Sequence, residues 1–170
     1  LMVIDDEPDV HRATTFALAG VKILGRPLQF LHAYSAAEAT LLLASEADVA
    51  VVLLDVVMER EDAGLALVKT IRQDLRLTEL RIILRTGQPG YAPEIETIHD
   101  FDINDYKTKS ELTRTKLYAT VTAAVRAYEQ IRKLDQLAFY DRLCSLPNRN
   151  KFIDLSDERL LSGQFPSDVI

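Results

Sequence analysis

The sequence has a single cysteine, Cys144, among its 170 residues. One cysteine cannot form a disulfide within the chain, and a chain without disulfides is typical of a reducing compartment. We therefore expect a cytoplasmic protein. No apolar run approaches the roughly 18 residues that a membrane-spanning helix requires. We therefore expect no membrane span.

Positive charge is also scarce. The chain has 20 Lys and Arg residues against 26 Asp and Glu residues, which gives a net charge of −6. No local cluster of basic residues offsets this balance, and binding to the phosphate backbone of DNA requires such a cluster. We therefore expect no nucleic-acid partner. The hydrophobic fraction of 48% and the charged fraction of 27% are those of an ordinary globular protein.

Short apolar segments alternate with helical patterns along the first 130 residues. The clearest segment is residues 49–55, where six apolar residues, rich in valine, lead directly to Asp55. Such a run is typical of a strand that is buried on both faces of a parallel sheet. The predicted strands are residues 1–4, 28–34, 49–55, 80–85 and 103–107. The predicted helices are residues 8–18, 36–45, 64–75, 93–99 and 111–139, and residues 20–27 are predicted to form a loop.

This alternation predicts an α/β fold, a doubly wound five-stranded parallel sheet with helices on both faces. Right-handed crossovers then bring the carboxyl ends of all strands to one edge of the sheet, where ligands of such folds bind. The polar residues that follow the predicted strands and would lie at this edge are Asp5, Asp6, Asp55, Thr86 and Lys109.

The charges at this edge predict a metal ion. Asp5, Asp6 and Asp55 contribute −3, and Lys109 contributes only +1. Carboxylates held together in this way repel one another unless a cation joins them, and Mg²⁺ is a natural choice for oxygen ligands. One carboxylate could then act as a nucleophile toward a phosphoryl group, while the metal and Lys109 neutralise charge on the phosphoryl oxygens.

Residues 1 to about 130 resemble a response-regulator receiver domain of two-component systems. The matching motifs are Asp5-Asp6-Glu7 after the first strand, Asp55 followed by Met58, Thr86-Gly87 after the fourth strand, and Lys109 after the fifth. The resemblance implies a flavodoxin-like fold in which Asp55 accepts a phosphoryl group from a sensor histidine kinase or a phosphotransfer protein. It also implies a Mg²⁺ site formed by Asp5, Asp6, Asp55 and the backbone carbonyl of Val57. The other implied roles are a switch hydroxyl at Thr86, a switch aromatic at Tyr106, and a phosphate-binding lysine at Lys109.

The chain departs from the usual receiver pattern in several places. Glu59 and Ser110 stand where the family usually has proline, and Gly64 comes one residue later than usual, which indicates an insertion in the loop after Asp55. Lys107 competes with Lys109 for the role of the phosphate-binding lysine. We favour Lys109 because it lies three residues after Tyr106, as in the family.

The predicted last helix is longer than a receiver domain needs. Leu117, Val121, Ala124, Tyr128 and Ile131 have the alternating four- and three-residue spacing of a short coiled coil. We expect the first half of this helix to pack on the sheet. The half beyond Arg126 is expected to project as a signalling helix and to support a homodimer.

The residues after this helix resemble the opening of a GGDEF domain, the fold of diguanylate cyclases. The resemblance depends on Tyr140-Asp141, Pro147-Asn148-Arg149 and Phe152, with Cys144-Ser145 in place of the usual Thr-Gly. The signature sequence of that family is absent, so we do not expect this chain to make cyclic di-GMP.

The predicted domains are a receiver at residues 1–126, a helical linker at 127–139, and the start of a truncated GGDEF-like output domain at 140–170. Because the sequence begins in mid-strand, we expect a piece of a longer protein with a GGDEF- or EAL-type output domain related to cyclic di-GMP.

Three other functions share features with a phosphorylatable receiver. A Mg²⁺-dependent phosphatase with an aspartyl nucleophile requires a second Asp two residues after the first, where this chain has Val57. A nucleotide-binding domain requires a glycine-rich loop after the first strand, and residues 5–8 are acidic without glycine. A receiver-like scaffold that binds partners without phosphorylation stays open. His11, His32 and His99 lack metal-ligand spacing and are predicted to be structural or surface residues.

Overall fold

The computed structural model describes residues 1–45, 48–87, 95–100, 102–111 and 113–139, with Leu146 and Asn148; at 95–97 and 111 it describes the backbone only. The strands are β1 (Met2–Ile4), β2 (Lys22–Ile23), β3 (Arg26–Pro27), β4 (Leu31–Ala33), β5 (Val51–Asp55), β6 (Arg81–Thr86) and β7 (Asp105–Thr108). The helices are α1 (Pro8–Ala17), α2 (Ala36–Ser45), α3 (Ala63–Lys69), α4 (Ile95–Asp100) and α5 (Arg114–Phe139). The chain divides into two compact units, Leu1–Glu129 and Gln130–Ile170.

Five strands of the first unit form one parallel sheet in the order β4-β1-β5-β6-β7. This arrangement confirms the predicted doubly wound α/β fold. Successive residues of a strand point to opposite faces of the sheet. Accordingly, Val51 and Leu53 of β5 pack with α1 and α5, while Val52 and Leu54 pack with α2 and α3. The continuous apolar run of β5 is therefore explained by burial on both faces.

Local signals in the sequence fix where several helices begin. Pro8 occupies the first turn of α1, where its missing N–H is no disadvantage. Ser35 caps α2, because its Oγ accepts a hydrogen bond from the Glu38 backbone N–H at 3.2 Å, and the Glu38 carboxylate in turn accepts from the Tyr34 N–H at 2.7 Å. These contacts tie α2 to the end of β4.

Residues 20–27 are not the simple loop that we predicted. They contain a small antiparallel hairpin, β2 with β3. Leu24 and Gly25 at its tip have positive φ angles of 52° and 79°, as a tight primed turn requires. The sequence showed the turn residues, but two-residue strands are too short to produce a visible alternation of polar and apolar residues.

The predicted helix at residues 64–75 consists of two parts. The α-helix α3 ends at Lys69, and a π-helical turn continues from Thr70 to Asp74. The Leu75 N–H donates to the Thr70 carbonyl at 2.9 Å, which is the wider hydrogen-bond spacing of a π-helix. The spacing of apolar residues along the chain cannot distinguish such a turn from ordinary α-helix.

In the first unit, α5 covers the sheet with Leu117, Val121, Ala124 and Tyr128, all buried. The packed part of the helix therefore extends beyond Arg126, where we expected it to leave the core. Within the second unit, Leu134 and Leu137 are largely exposed. In the described part of the chain, no helix combines the length and the apolar character needed to cross a membrane.

Candidate functional site

The carboxyl ends of β1 and β5 bring two buried carboxylates together. The chain leaves β1 at Asp5, whose N–H still donates to the Ala33 carbonyl of β4 at 3.2 Å, and the Asp5 side chain is fully buried. Asp55 is the last residue of β5 and is 3% exposed. Because β1 and β5 are neighbours in the sheet, the two carboxylates face the same edge.

Gly64 determines how closely the loop after Asp55 returns to the strand. Its N–H donates to the Val56 carbonyl at 3.0 Å. A Cβ at this position would lie 2.1 Å from the Asp55 carbonyl oxygen and 2.7 Å from the Val56 Cα. Only glycine therefore allows α3 to begin directly against the backbone of the candidate acceptor residue, despite the insertion that the sequence indicates.

Lys109 links the acidic residues. It lies in a 3-10 turn, Lys109–Glu111, directly after β7. Its Nζ lies 2.8 Å from the Asp55 Oδ2, 3.1 Å from the Asp5 Oδ2 and 3.0 Å from the Glu7 Oε1. Lys107, the competing lysine, instead contacts Asp105 at 3.1 Å. The structure thus places Lys109, as predicted from its distance to Tyr106, at the acidic edge.

The electrostatics of the pair follow from its burial. Burial opposes the charged form of Lys109, but hydrogen bonds to Asp55, Glu7 and Asp5 outweigh burial and raise the pKa of the ammonium above its usual value. Burial also raises the pKa of the Asp55 carboxyl, and the hydrogen bond from Lys109 counteracts this effect only in part. Asp55 is therefore a desolvated carboxylate held by one strong cationic donor.

The acidic group at this edge suits a divalent cation. Asp5, Asp6, Glu7 and Asp55 each offer an oxygen, and these four oxygens lie within 4.8 Å of one another. Two of the carboxylates are buried and two are exposed, so the group is open to solvent on one side. Hard oxygen donors in this number fit Mg²⁺ or Ca²⁺ better than a softer metal. Glu7 belongs to this group, although the predicted metal site consisted only of Asp5, Asp6, Asp55 and the Val57 carbonyl.

Comparisons with solved structures identify this architecture. A CheY-like receiver domain from Methanospirillum hungatei superposes with a TM-score of 0.61 at 23% identity, covering 76% of this chain and 95% of that chain. The N-terminal domain of a response regulator/sensory box/GGDEF protein from Carboxydothermus hydrogenoformans gives 0.61 at 19% identity, with 77% and 97% coverage. The chain has the receiver fold.

Two further comparisons extend this result. A structure described as an adenylate cyclase from Rhodopirellula baltica superposes with a TM-score of 0.69 at 14% identity, covering 81% of this chain and 94% of that chain. Among curated sequences, a 3'3'-cGAMP-specific phosphodiesterase 2 of Vibrio cholerae is 43% identical over 131 residues, or 77% of this chain. The match spans about a quarter of that relative's length, 25%. No family model matches the sequence.

The predicted switch residues lie beside the acidic edge of the sheet. Thr86 is buried at the end of β6 and pairs in register with Thr108 of β7. Tyr106 pairs with Leu84 and packs against the same hydrophobic core as Leu84, so Tyr106 and Thr86 share the sheet face opposite to Arg85. The Val57 N–H lies 3.4 Å from the Oδ1 of Asp55, the candidate acceptor. The role of the Val57 carbonyl in metal binding stays a prediction.

Arg85 is the residue of this site that sequence reasoning missed. It pairs in register with Asp55, and its guanidinium is buried. Its Nη1 donates to the Thr14 hydroxyl at 3.0 Å, and its Nη2 lies 3.5 Å from the Asp5 Oδ2. Burial lowers the pKa of the Arg85 guanidinium below its usual value, and the nearby carboxylates of Asp5 and Asp55 oppose this effect only in part. An arginine inside an apolar strand, one residue before the strand ends, was the available signal.

His11 also supports the site from behind. Its ring is buried, and its Nε2 donates to the Asp5 backbone carbonyl at 2.7 Å. The Nδ1 of the same ring lies 2.9 Å from the His32 Nδ1, and in a neutral His11 ring this Nδ1 is the acceptor. Burial lowers the pKa of His32, and the electrostatic interaction with the neighbouring His11 lowers it further. The structural role predicted for these two histidines thus includes holding the backbone of Asp5, whereas His99 is exposed.

Proposed function

We propose that this chain is a phosphorylatable receiver in which Asp55 accepts a phosphoryl group from a sensor histidine kinase or a phosphotransfer protein. The observation that carries the proposal is the contact between the Lys109 Nζ and the Asp55 Oδ2 at 2.8 Å, within a group of four carboxylates. The receiver fold by itself would also suit a scaffold that is never phosphorylated. A buried nucleophile, a cationic donor and a set of hard oxygen ligands are the parts that phosphoryl transfer needs.

The chemistry uses these parts in a simple way. One Asp55 oxygen attacks the phosphorus of a phosphohistidine; the O–P bond forms, the P–N bond breaks, and the electron pair returns to the imidazole. Lys109 is placed to hydrogen-bond a phosphoryl oxygen, because it already contacts the carboxylate that would be modified. Mg²⁺, held by Asp5, Asp6, Asp55 and the Val57 carbonyl, would supply additional positive charge toward the phosphoryl oxygens.

The new phosphoryl group would then change the packing beside the acceptor. Thr86 lies at the end of the neighbouring strand and can donate its hydroxyl to a phosphoryl oxygen. Tyr106 is on the same sheet face and would follow Thr86 inward, so that the surface formed by α4, β7 and α5 changes with phosphorylation. Because α5 continues to Phe139, it is the element that would relay this change to an output domain.

Intact mass after incubation with acetyl phosphate and Mg²⁺ tests the proposal directly. We expect a gain of about 80 Da, one phosphoryl group, in the wild-type chain and no gain in Asp55→Asn. Asparagine preserves the shape of the side chain but is a poor nucleophile. Asp62→Asn is the matched control, since Asp62 is an exposed carboxylate of the loop that leads into α3.

The control should gain the same mass as the wild type. Equal gain in Asp55→Asn and wild type would place the modification on another residue. Absence of any gain, with Mg²⁺ also failing to bind, would leave a receiver-shaped interaction scaffold. In either case the proposed function would be wrong.

We place the phosphoryl exchange in the cytoplasm, because a chain with a single cysteine is typical of a reducing compartment.

We further propose that the output of the full-length protein concerns cyclic dinucleotides. Two observations support this link: the curated relative with 43% identity is described as a 3'3'-cGAMP-specific phosphodiesterase, and one solved neighbour belongs to a GGDEF protein. The predicted GGDEF-like start at residues 140–170 lies almost entirely outside the described residues, so it stays a prediction, as do the predicted boundaries after residues 126 and 139.

The part of α5 beyond the packed region is proposed to support a homodimer. The four buried residues of the predicted seam pack in the core of their own unit and cannot contact a second chain: Leu117, Val121, Ala124 and Tyr128. Beyond them, Leu134 and Leu137 are exposed. These two residues are three positions apart and therefore lie on one side of the helix. The homodimer seam therefore begins later in the helix than the sequence pattern suggested.

Leu134→Glu is expected to weaken the dimer at least tenfold, because it removes an apolar side chain from each protomer and places like charges opposite each other. Sedimentation equilibrium over a range of concentrations measures this change. Leu41→Glu is the control, because Leu41 is 73% exposed on α2, compared with 64% for Leu134. A dimer that is unaffected by Leu134→Glu, or equally weakened by both substitutions, would contradict this interface.

A further inference from the structure

The feature that the receiver mechanism leaves unused is the buried guanidinium of Arg85. Its side chain is 4% exposed, and among the described residues its Nε has no hydrogen-bond partner. A buried charge with an unsatisfied donor is costly, so it persists only where its remaining partners hold it. Those partners are Thr14 on α1 and Asp5 at the acidic edge.

The sheet order shows where this side chain lies. Arg85 is on β6 and Asp5 follows β1, while β5, which carries Asp55, runs between these two strands. Asp55 and Arg85 are register partners and therefore point to the same face of the sheet, the face covered by α1 and α5. The Arg85 side chain must cross the end of β5 to contact Asp5. Its charge is consequently close to both buried carboxylates.

The oxygens of Asp5 are already engaged by donors of the protein. Oδ1 accepts from the Glu7 N–H at 3.1 Å and from the Lys109 Nζ at 3.3 Å, and Oδ2 lies 3.1 Å from the same Nζ and 3.5 Å from the Arg85 Nη2. An ion that binds Asp5 must therefore share or displace one of these contacts. The contact with Arg85 is the longest of them, and Arg85 would retain Thr14.

We propose that Arg85 is a positioning residue that acts as an internal counter-charge of the acidic group and competes with the divalent cation for Asp5. The proposal deepens the proposed function, because it rests on cation binding at the same site. Four carboxylates with Lys109 and Arg85 have a formal charge of −2, and without Arg85 the charge is −3. Arg85 therefore reduces the excess negative charge of the site when no cation is bound, and it lowers the affinity for the cation.

Calorimetric titration with Mg²⁺ alone tests this role. Arg85→Gln and Arg85→Met both remove the charge, and each is expected to bind Mg²⁺ roughly tenfold more tightly, as Coulomb's law gives for a unit charge near a divalent ion in a partly exposed site. Methionine suits the buried position better than glutamine, so it guards against a glutamine variant that fails to fold. Arg85→Lys retains the charge and is expected to stay within about threefold of the wild-type affinity.

Arg81→Gln is the matched control. Arg81 lies on β6 and on the same sheet face as Arg85, but four residues earlier, which is roughly 13 Å along a strand. It pairs with Asp102 at 3.5 Å, away from the acidic group. Loss of this charge changes the net charge equally, and screening by salt at this distance should leave the Mg²⁺ affinity within about twofold of the wild type.

Each outcome has a separate meaning for the two proposals. Equal or weaker Mg²⁺ binding in both neutral variants would overturn the role of Arg85 and leave the proposed function intact. Binding in the neutral variants but not in the wild type would support Arg85 as a competitor and would show that the native acidic group is closed to the cation. Absence of binding in all proteins would overturn both proposals.

Discussion

Gly64→Ala lowers the free energy of unfolding by about 3 kcal/mol or more, the largest effect that we expect for a single methyl group in this chain. The new Cβ would lie 2.1 Å from the Asp55 carbonyl oxygen, 2.7 Å from the Val56 Cα and 2.9 Å from the Val56 carbonyl oxygen. All three atoms belong to the backbone, so no side chain can rotate away. Relief requires α3 to move off the end of β5, which breaks the hydrogen bond from the Gly64 N–H.

Urea unfolding monitored by circular dichroism measures the change, with the slope of the transition as a check that the unfolded state is comparable. Gly87→Ala is the matched control, because no described atom lies within 4 Å of a Cβ built at Gly87. This variant should differ from the wild type by less than about 0.5 kcal/mol. Similar stabilities of the two variants would mean that α3 does not approach Asp55 as closely as the structure shows.

The movement that relieves the clash would also displace the candidate acceptor. Asp55 is the last residue of β5, and its backbone and that of Val56 are the atoms that the new methyl group would contact. Any folded Gly64→Ala protein should therefore be phosphorylated more slowly than the wild type by acetyl phosphate. The rate of phosphorylation thus reports a local effect at Asp55, separately from the loss of stability. Gly87→Ala should change neither the rate nor the stability.

Lys109→Met is expected to destabilise the protein by about 2–3 kcal/mol when no Mg²⁺ is added. The substitution removes the cation that contacts Asp5 and Asp55 together. Each carboxylate then keeps a backbone N–H donor, and Asp5 also keeps the longer contact from Arg85. A hydrogen bond to a charged group contributes about 1.5–3 kcal/mol to stability. Because Lys109 is partly exposed, water replaces part of what its hydrogen bonds contribute, and the loss is smaller than their sum.

Thermal and urea unfolding, each with and without Mg²⁺, provide the measurement. Lys107→Met is the control, because the one ion pair of Lys107 among the described residues is with the partly exposed Asp105. Ion pairs at the surface contribute about 0–1 kcal/mol. Addition of Mg²⁺ should restore more stability to Lys109→Met than to Lys107→Met, since the metal supplies the missing positive charge. Equal losses in the two variants would mean that the wrong lysine has been assigned to the site.

Much of the fold was predictable because local signals and burial agree. The apolar run before Asp55 predicted a strand buried on both faces, and β5 is buried at every position. The alternation of strands and helices predicted the parallel sheet, because short chiral crossovers permit few other arrangements. The hairpin of β2 and β3 and the π-helical turn after α3 were not predictable in this way, since neither changes the spacing of apolar residues over a sufficient length.

The candidate site was likewise predictable from the sequence in part. The order of strands determined that Asp5, Asp55 and Lys109 would meet, because residues that follow parallel strands share one edge of the sheet. The resemblance to receivers favoured Lys109 over Lys107, and in the structure Lys109 contacts Asp55 while Lys107 contacts Asp105. The roles of these residues in phosphoryl transfer are still to be tested by the experiments above.

What the sequence determined by itself is therefore the sheet, its acidic edge and the residue types present there. These follow from periodicity and chain connectivity, which are properties of neighbouring residues. Only the tertiary structure decided that Arg85 crosses the end of β5 to contact Asp5, that His11 holds the Asp5 carbonyl, and that α5 stays packed as far as Tyr128. Each of these contacts joins residues on different elements, and its existence depends on side-chain direction and packing distance, which one-dimensional spacing does not contain.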